Sequence, residues 1–101
     1  MIKMTIIMDE EKIKAKGNLS IEETYKRIDN IAKENGIIQK ENFTYIGEES
    51  LDNNYWKFIK FCHALDDCSS WFFDFISTWT YEDNIDFEDF KEAYIEKGRI
   101  K

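Results

Sequence analysis

The chain has 101 residues, 21 acidic and 14 basic, for a formal net charge of −7; 16% of its residues are aromatic, and it contains no proline. That length suits one domain spanning residues 1–101. The aromatic load excludes a disordered acidic tail, no apolar run approaches the ~20 residues of a membrane span, and the acidic balance argues against direct nucleic-acid binding, which needs a basic face.

Ile2, Met4, Ile6 and Met8 alternate with Lys3 and Thr5, so a first strand is expected at 2–8. Residues 10–18 are charged, reach Gly17 and read as a connection. Ser20-Ile21-Glu22-Glu23 has the form of a capping box. Ile21, Tyr25, Ile28 and Ala32 follow on one helical face, and Gly36 can stop the helix, which gives 20–35. Residues 43–47 are strand-like in composition. Gly47 to Asn54 is rich in turn formers. Tyr55 to Leu65 fits a strand or a helix, and its aromatic content favours a strand forming a hairpin with 43–47. Trp71, Phe72, Phe75, Ile76 and Trp79 return to helical spacing, predicting a helix over 70–80 capped by Ser69 or Ser70. A break at 81–84 leads to a last helix at 87–97, capped by Asp86 and stopped at Gly98. The expected fold is α+β in the order β-α-β-β-α-α, with helices packed on one face of an antiparallel sheet.

The charge is uneven. Residues 1–50 carry eight bases and ten acids, whereas residues 51–101 carry six and eleven. Between Phe61 and Phe90 there is no Lys or Arg, while Asp66, Asp67, Asp74, Glu82, Asp83, Asp86, Glu88 and Asp89 crowd among nine aromatics. Helical spacing favours a core of aromatics beneath a solvated acidic face. The functional reading is a docking surface: uncompensated carboxylates attract a basic partner and speed its encounter. Its candidate residues are Asp66, Asp67, Phe73, Asp74, Glu82, Asp83, Asp86 and Asp89. Phe73 lies off the main apolar face of its expected helix and is the candidate anchor. The sharpest form of this reading is mimicry of a nucleic acid, which presents one negative charge per ~1.7 Å of duplex axis.

Other chemistry finds little support. Cys62, His63 and Cys68 are too few and wrongly spaced for structural zinc. The run 83–89 lacks the ligands and glycine of a calcium loop. Cys68, placed before a helix N-terminus with its pKa lowered there, and His63 as its base would make a nucleophile pair; a structural Cys and a surface His are the favoured alternative. Phosphate loops and nucleophile elbows are absent. No metal, cofactor or catalytic residue is therefore expected. The opening MIKMTIIM is too short for a signal-peptide core, which places the expected protein in the cytoplasm with free thiols.

Two stretches, MTIIMDEEKIKAKGNLSIEETYKRID and SSWFFDFISTWTYEDNIDFEDFKEAY, resemble small acidic accessory proteins of Gram-positive conjugative and other mobile elements. The resemblance covers about half the chain and consists of packing and capping residues, so it assigns no site residue. It implies a cytosolic accessory protein, of a kind that includes blockers of host defence enzymes. The expected function is a monomeric, non-enzymatic module engaging a basic protein surface, such as that of a host nucleic-acid-binding protein. The alternatives are a thiol-dependent enzyme using Cys68 and His63, and a structural subunit of a mobile-element complex.

Overall fold

The computed structural model describes residues 2–16, 20–41, 44–47, 51–68, 71–83 and 86–100. Along the chain these form β1 (Ile2–Met8), α1 (Glu10–Lys16), α2 (Ile21–Glu34), β2 (Ile38–Glu41), β3 (Thr44–Gly47), α3 (Leu51–Asp67), α4 (Phe72–Phe75), β4 (Ile76–Glu82), β5 (Phe87–Asp89) and α5 (Phe90–Glu96). The strands make one antiparallel sheet in the order β2-β3-β1-β4-β5. The expected α+β class holds, with an antiparallel sheet and its helices on one face. The expected element order does not: three segments change type and two elements appear that were not anticipated.

β1 is the central strand, and its alternation is the clearest link from sequence to fold. Ile2, Met4, Ile6 and Met8 are buried, while Lys3 and Ile7 are exposed. Tyr45 on β3 and Tyr81 on β4 stand opposite Met4, and Trp79 stands opposite Ile6. This inner face packs against Ile13, Ile28, Ala32, Phe58, Phe61, Leu65 and Phe72 from the helices, forming one contiguous core. The other face carries Thr5 between Thr44 and Thr80, and Lys3 opposite Glu82.

α2 forms as expected. The Ser20 hydroxyl accepts the Glu23 N–H at 3.1 Å, and Gly36 beyond the helix adopts φ +76°. Thr24, Ile28 and Ala32 supply its buried stripe. The Tyr25 hydroxyl accepts the Met8 N–H at 2.9 Å and ties the helix to the end of β1.

The segment expected to connect at 10–18 contains α1. Asp9 caps it by accepting the Lys12 N–H at 3.1 Å, with acids in the first turn and lysines in the last. Ile13 is its one buried residue, so no apolar period marked it. β2 was not anticipated; it pairs with β3 as the hairpin partner expected from 55–65. The strand expected at 55–65 is instead part of α3. Phe58, Phe61 and Leu65 are spaced three and four apart and are all buried, which is a helical stripe. The strand expected at 43–47 is present over Thr44–Gly47, while Phe43 lies outside the described residues, as do the expected caps Ser69 and Ser70.

The helix expected at 70–80 is one turn, α4, followed by β4. A bulge explains the misreading. Ile7 pairs with Thr78 but Met8 pairs with Ile76, which leaves Ser77 as an extra residue. The bulge places Ile76 and Trp79, three apart, on the same inner face and so imitates helical spacing. Tyr81 and Glu82, expected within a break, complete β4. The last helix starts later than expected. Phe87–Asp89 is an edge strand, and Asp89 rather than Asp86 caps α5, accepting the Glu92 N–H at 3.0 Å. Gly98, with φ +77°, ends α5 as expected.

Candidate functional site

The C-terminal aromatics close around Trp79, which is fully buried. Its ring stacks on Tyr94 at 4.9 Å between centroids and meets Phe72 and Phe90 edge-on at 5.1 and 5.5 Å. Its indole N–H points at Met4 Sδ, 3.4 Å away. Trp79 thereby pins α4 and α5 onto the sheet. Phe73 belongs to this cluster. It is 7% exposed, packs on Phe72, Trp79 and Tyr94, and has the Arg99 guanidinium over its ring. The expectation that Phe73 is an exposed anchor is therefore corrected: α4 is a single turn, too short for helical spacing to decide which ring faces out.

The exposed aromatic of the acidic region is Phe87, at 64%. It lies at the start of the segment expected as a helix over 87–97. As a β5 residue opposite Glu82 it stands on the face of the sheet away from the helices, as does Asp89 opposite Thr80. Glu88, opposite Tyr81, points to the helix side. Strand alternation in 86–89 was the signal that would have separated these residues.

The structure gathers four of the predicted acids, Glu82, Asp83, Asp86 and Asp89, into the β4–β5 hairpin and adds Glu88 to them. Asp83 links the ends of the two strands. Its carboxylate accepts the Tyr81 hydroxyl at 2.9 Å and the Asp86 N–H at 2.7 Å, and its own N–H donates to the Asp86 carbonyl at 2.9 Å. The other three acids sit elsewhere. Asp66 is ion-paired with Arg99, Asp67 is exposed at the end of α3, and Asp74 is exposed on α4.

Behind the hairpin lies a cleft of about 390 Å³ between α3 and α5. Phe58, Ile59, Cys62 and His63 line the α3 side, and Phe90, Ala93, Tyr94 and Lys97 line the α5 side. Tyr81, Asp83, Asp86 and Glu88 complete it from the sheet edge. Tyr81 and Phe90 stack at 5.6 Å with an interplanar angle of 20°. The cleft is thus aromatic within and acidic along one border.

Both thiols are shifted toward their protonated form. Burial pushes the Cys62 thiol up to about 12. Burial also raises Cys68, and Asp67 adds to the rise, outweighing the lowering effect of Arg27. The expected lowering of Cys68 is overturned because it follows the C-terminus of α3 and only a four-residue turn comes after it, so no long helix dipole faces the sulfur. His63 lines the cleft with Cys62 rather than Cys68. Among the described residues, no three His, Cys, Asp or Glu side chains converge as a metal ion would require, and no helix is long and apolar enough to cross a membrane.

No family model matches the chain, and no curated protein matches it.

Proposed function

We propose that the protein is a non-enzymatic, cytoplasmic interaction module, acting as a monomer, that docks the acidic β4–β5 hairpin onto a basic surface of a partner protein. The carrying observation is Phe87: a large ring 64% exposed, set on an edge strand between Asp86 and Glu88-Asp89 with Glu82 across the ladder. An exposed aromatic costs solvation and adds little to the fold, but at an interface it supplies the central apolar contact while the surrounding charges steer the approach. In its sharp form the reading is a mobile-element inhibitor, or DNA mimic, acting on a host nucleic-acid-binding protein. The raised thiols weigh against the enzyme alternative using Cys68 and His63.

The test is capture of basic nucleic-acid-binding proteins from nuclease-treated Gram-positive lysate with the wild-type chain, Phe87→Ser, and the double variant Asp86→Asn/Asp89→Asn. One basic partner should be retained by the wild type, with affinity falling roughly tenfold or more on Phe87→Ser. Retention should also weaken in high salt, because charges at this surface are screened over about 8 Å. Competition by added duplex DNA distinguishes the mimic from a general basic-surface binder. Equal retention by wild type and both variants would remove the hairpin from the interface.

A further inference from the structure

The hairpin's two faces differ: Phe87 and Asp89 project from one side, whereas Glu88 projects over the cleft between α3 and α5. We propose that this cleft receives an arginine side chain of the basic partner, with the guanidinium lying against its aromatic walls and pairing with Glu88 and Asp86. This inference rests on the docking function proposed above and specifies the chemistry of the group that enters.

Three observations lead to it. The cleft's volume, about 390 Å³, lies within the ~300–1,000 Å³ of ordinary ligand sites and is ample for one long side chain. Its walls include the rings of Phe58, Tyr81, Phe90 and Tyr94, while its charge is carried by Asp83, Asp86 and Glu88 against the single ammonium of Lys97. An anion would be repelled there, and a purely apolar group would gain nothing from the carboxylates of Asp86 and Glu88 at its border. A metal ion needs ligands converging on a point, an arrangement absent among the described residues. The fit is to an extended organic cation. Third, the protein already seats a cation on one of these rings: Lys97 Nζ lies over Tyr94, 5.3 Å from its centroid. Lys97 is exposed, so it competes weakly with an incoming cation and can move aside. Guanidinium is preferred over ammonium because it is planar, stacks on aromatic faces and pairs with carboxylates through two parallel hydrogen bonds.

The test is a titration of the isotope-labelled full chain with N-acetylarginine methylamide, followed through backbone amide shifts. The citrulline and lysine counterparts serve as controls. Shifts are expected at residues 58–63, 88 and 93–97, larger for arginine than for lysine and absent for citrulline. Glu88→Gln should weaken binding about five- to tenfold, and Lys97→Gln should strengthen it about two- to threefold by removing the competitor. Opposite signs for two exposed substitutions report on the charge in the cleft rather than on folding. Cleft amides that stay still, that move equally with citrulline or lysine, or that ignore both substitutions would overturn the assignment. A short arginine-rich peptide separates the two proposals. If it perturbs residues 86, 87 and 89 while the cleft amides are unmoved, the cleft assignment falls and hairpin docking stands. If the cleft titrates but partner capture is indifferent to Phe87→Ser, hairpin docking falls instead.

Discussion

The two halves of the sheet use their side chains differently. In the β1–α2–β3 half, patterning serves burial: Ile2, Met4, Ile28 and Ala32 are almost fully enclosed, and the exposed side of α2 mixes both signs of charge. In the β4–β5–α5 half the core is aromatic, and the acids gather at one edge. Tyr81 and Tyr94 take part in the core cluster and line the cleft as well. A surface that must both hold the fold and meet a partner needs side chains with an apolar body and a polar tip, as tyrosine has.

The largest expected effect lies where the aromatic half depends on one ring. Trp79→Ala should lower unfolding free energy by about 3–5 kcal/mol, read as a drop in the urea midpoint, because it leaves Phe72, Phe90 and Tyr94 facing a cavity. Ile28→Ala, in the aliphatic half, should cost about 2–4 kcal/mol. If the two costs are reversed, Trp79 is not the organising residue of the second half.

Alkaline pH should distinguish the halves next. Cys62 is held by burial at about 12, against 9.0 for an ordinary thiol. The folded chain therefore keeps a proton that the unfolded chain releases first. The associated stability is complete below pH 9 and is lost as pH rises toward 12. Tyr25 and Tyr94, raised by burial, act in the same direction at higher pH. Denaturation midpoints should fall across this window, and Cys62→Ala should flatten the part near its beginning. An unchanged slope in that variant would mean that the thiol is not buried as described.

What could be read from the sequence follows the same division. β1 and α2 were legible because each carries a clear period, interrupted in β1 only by Ile7, and α2 has both a start and a stop signal, Ser20 and Gly36. Phe58, Phe61 and Leu65 offered a helical stripe, but aromatic content outweighed it, since bulky rings occur in buried helices and strands alike. β4 was hidden by the bulge at Ser77, which no local composition marks. Of the candidate site, the acids of the hairpin were legible as charge, because a 30-residue stretch without a base is visible in one dimension. Which ring stands outside was not, because Phe73 and Phe87 exchange roles only once 87–89 is known to be a strand. The cleft depends on α3 lying beside α5, a tertiary fact that no local pattern carries.

The caps give a smaller contrast. Ser20→Ala should cost about 1 kcal/mol. Asp89→Ala removes the equivalent bond at α5 but also relieves repulsion among Glu82, Asp86 and Glu88, so its cost should be clearly below that of Ser20→Ala. The difference should shrink in high salt, which screens the repulsion and leaves the cap bond. Equal costs at all salt concentrations would mean that the hairpin acids do not interact appreciably.

The smallest effect on stability is expected at the residue proposed to matter most for binding. Phe87 is 64% exposed and its strand lies at the sheet edge, so Phe87→Ser should change the unfolding free energy by no more than about 0.5 kcal/mol. Phe73→Ala, by contrast, removes a ring packed on Phe72, Trp79 and Tyr94 and should cost about 3 kcal/mol or more. The two phenylalanines thus separate folding from docking. A partner lost on Phe87→Ser without loss of stability locates the interface at the hairpin edge. A large stability loss on Phe87→Ser would instead make that ring part of the fold, and the exposed aromatic would no longer speak for a partner.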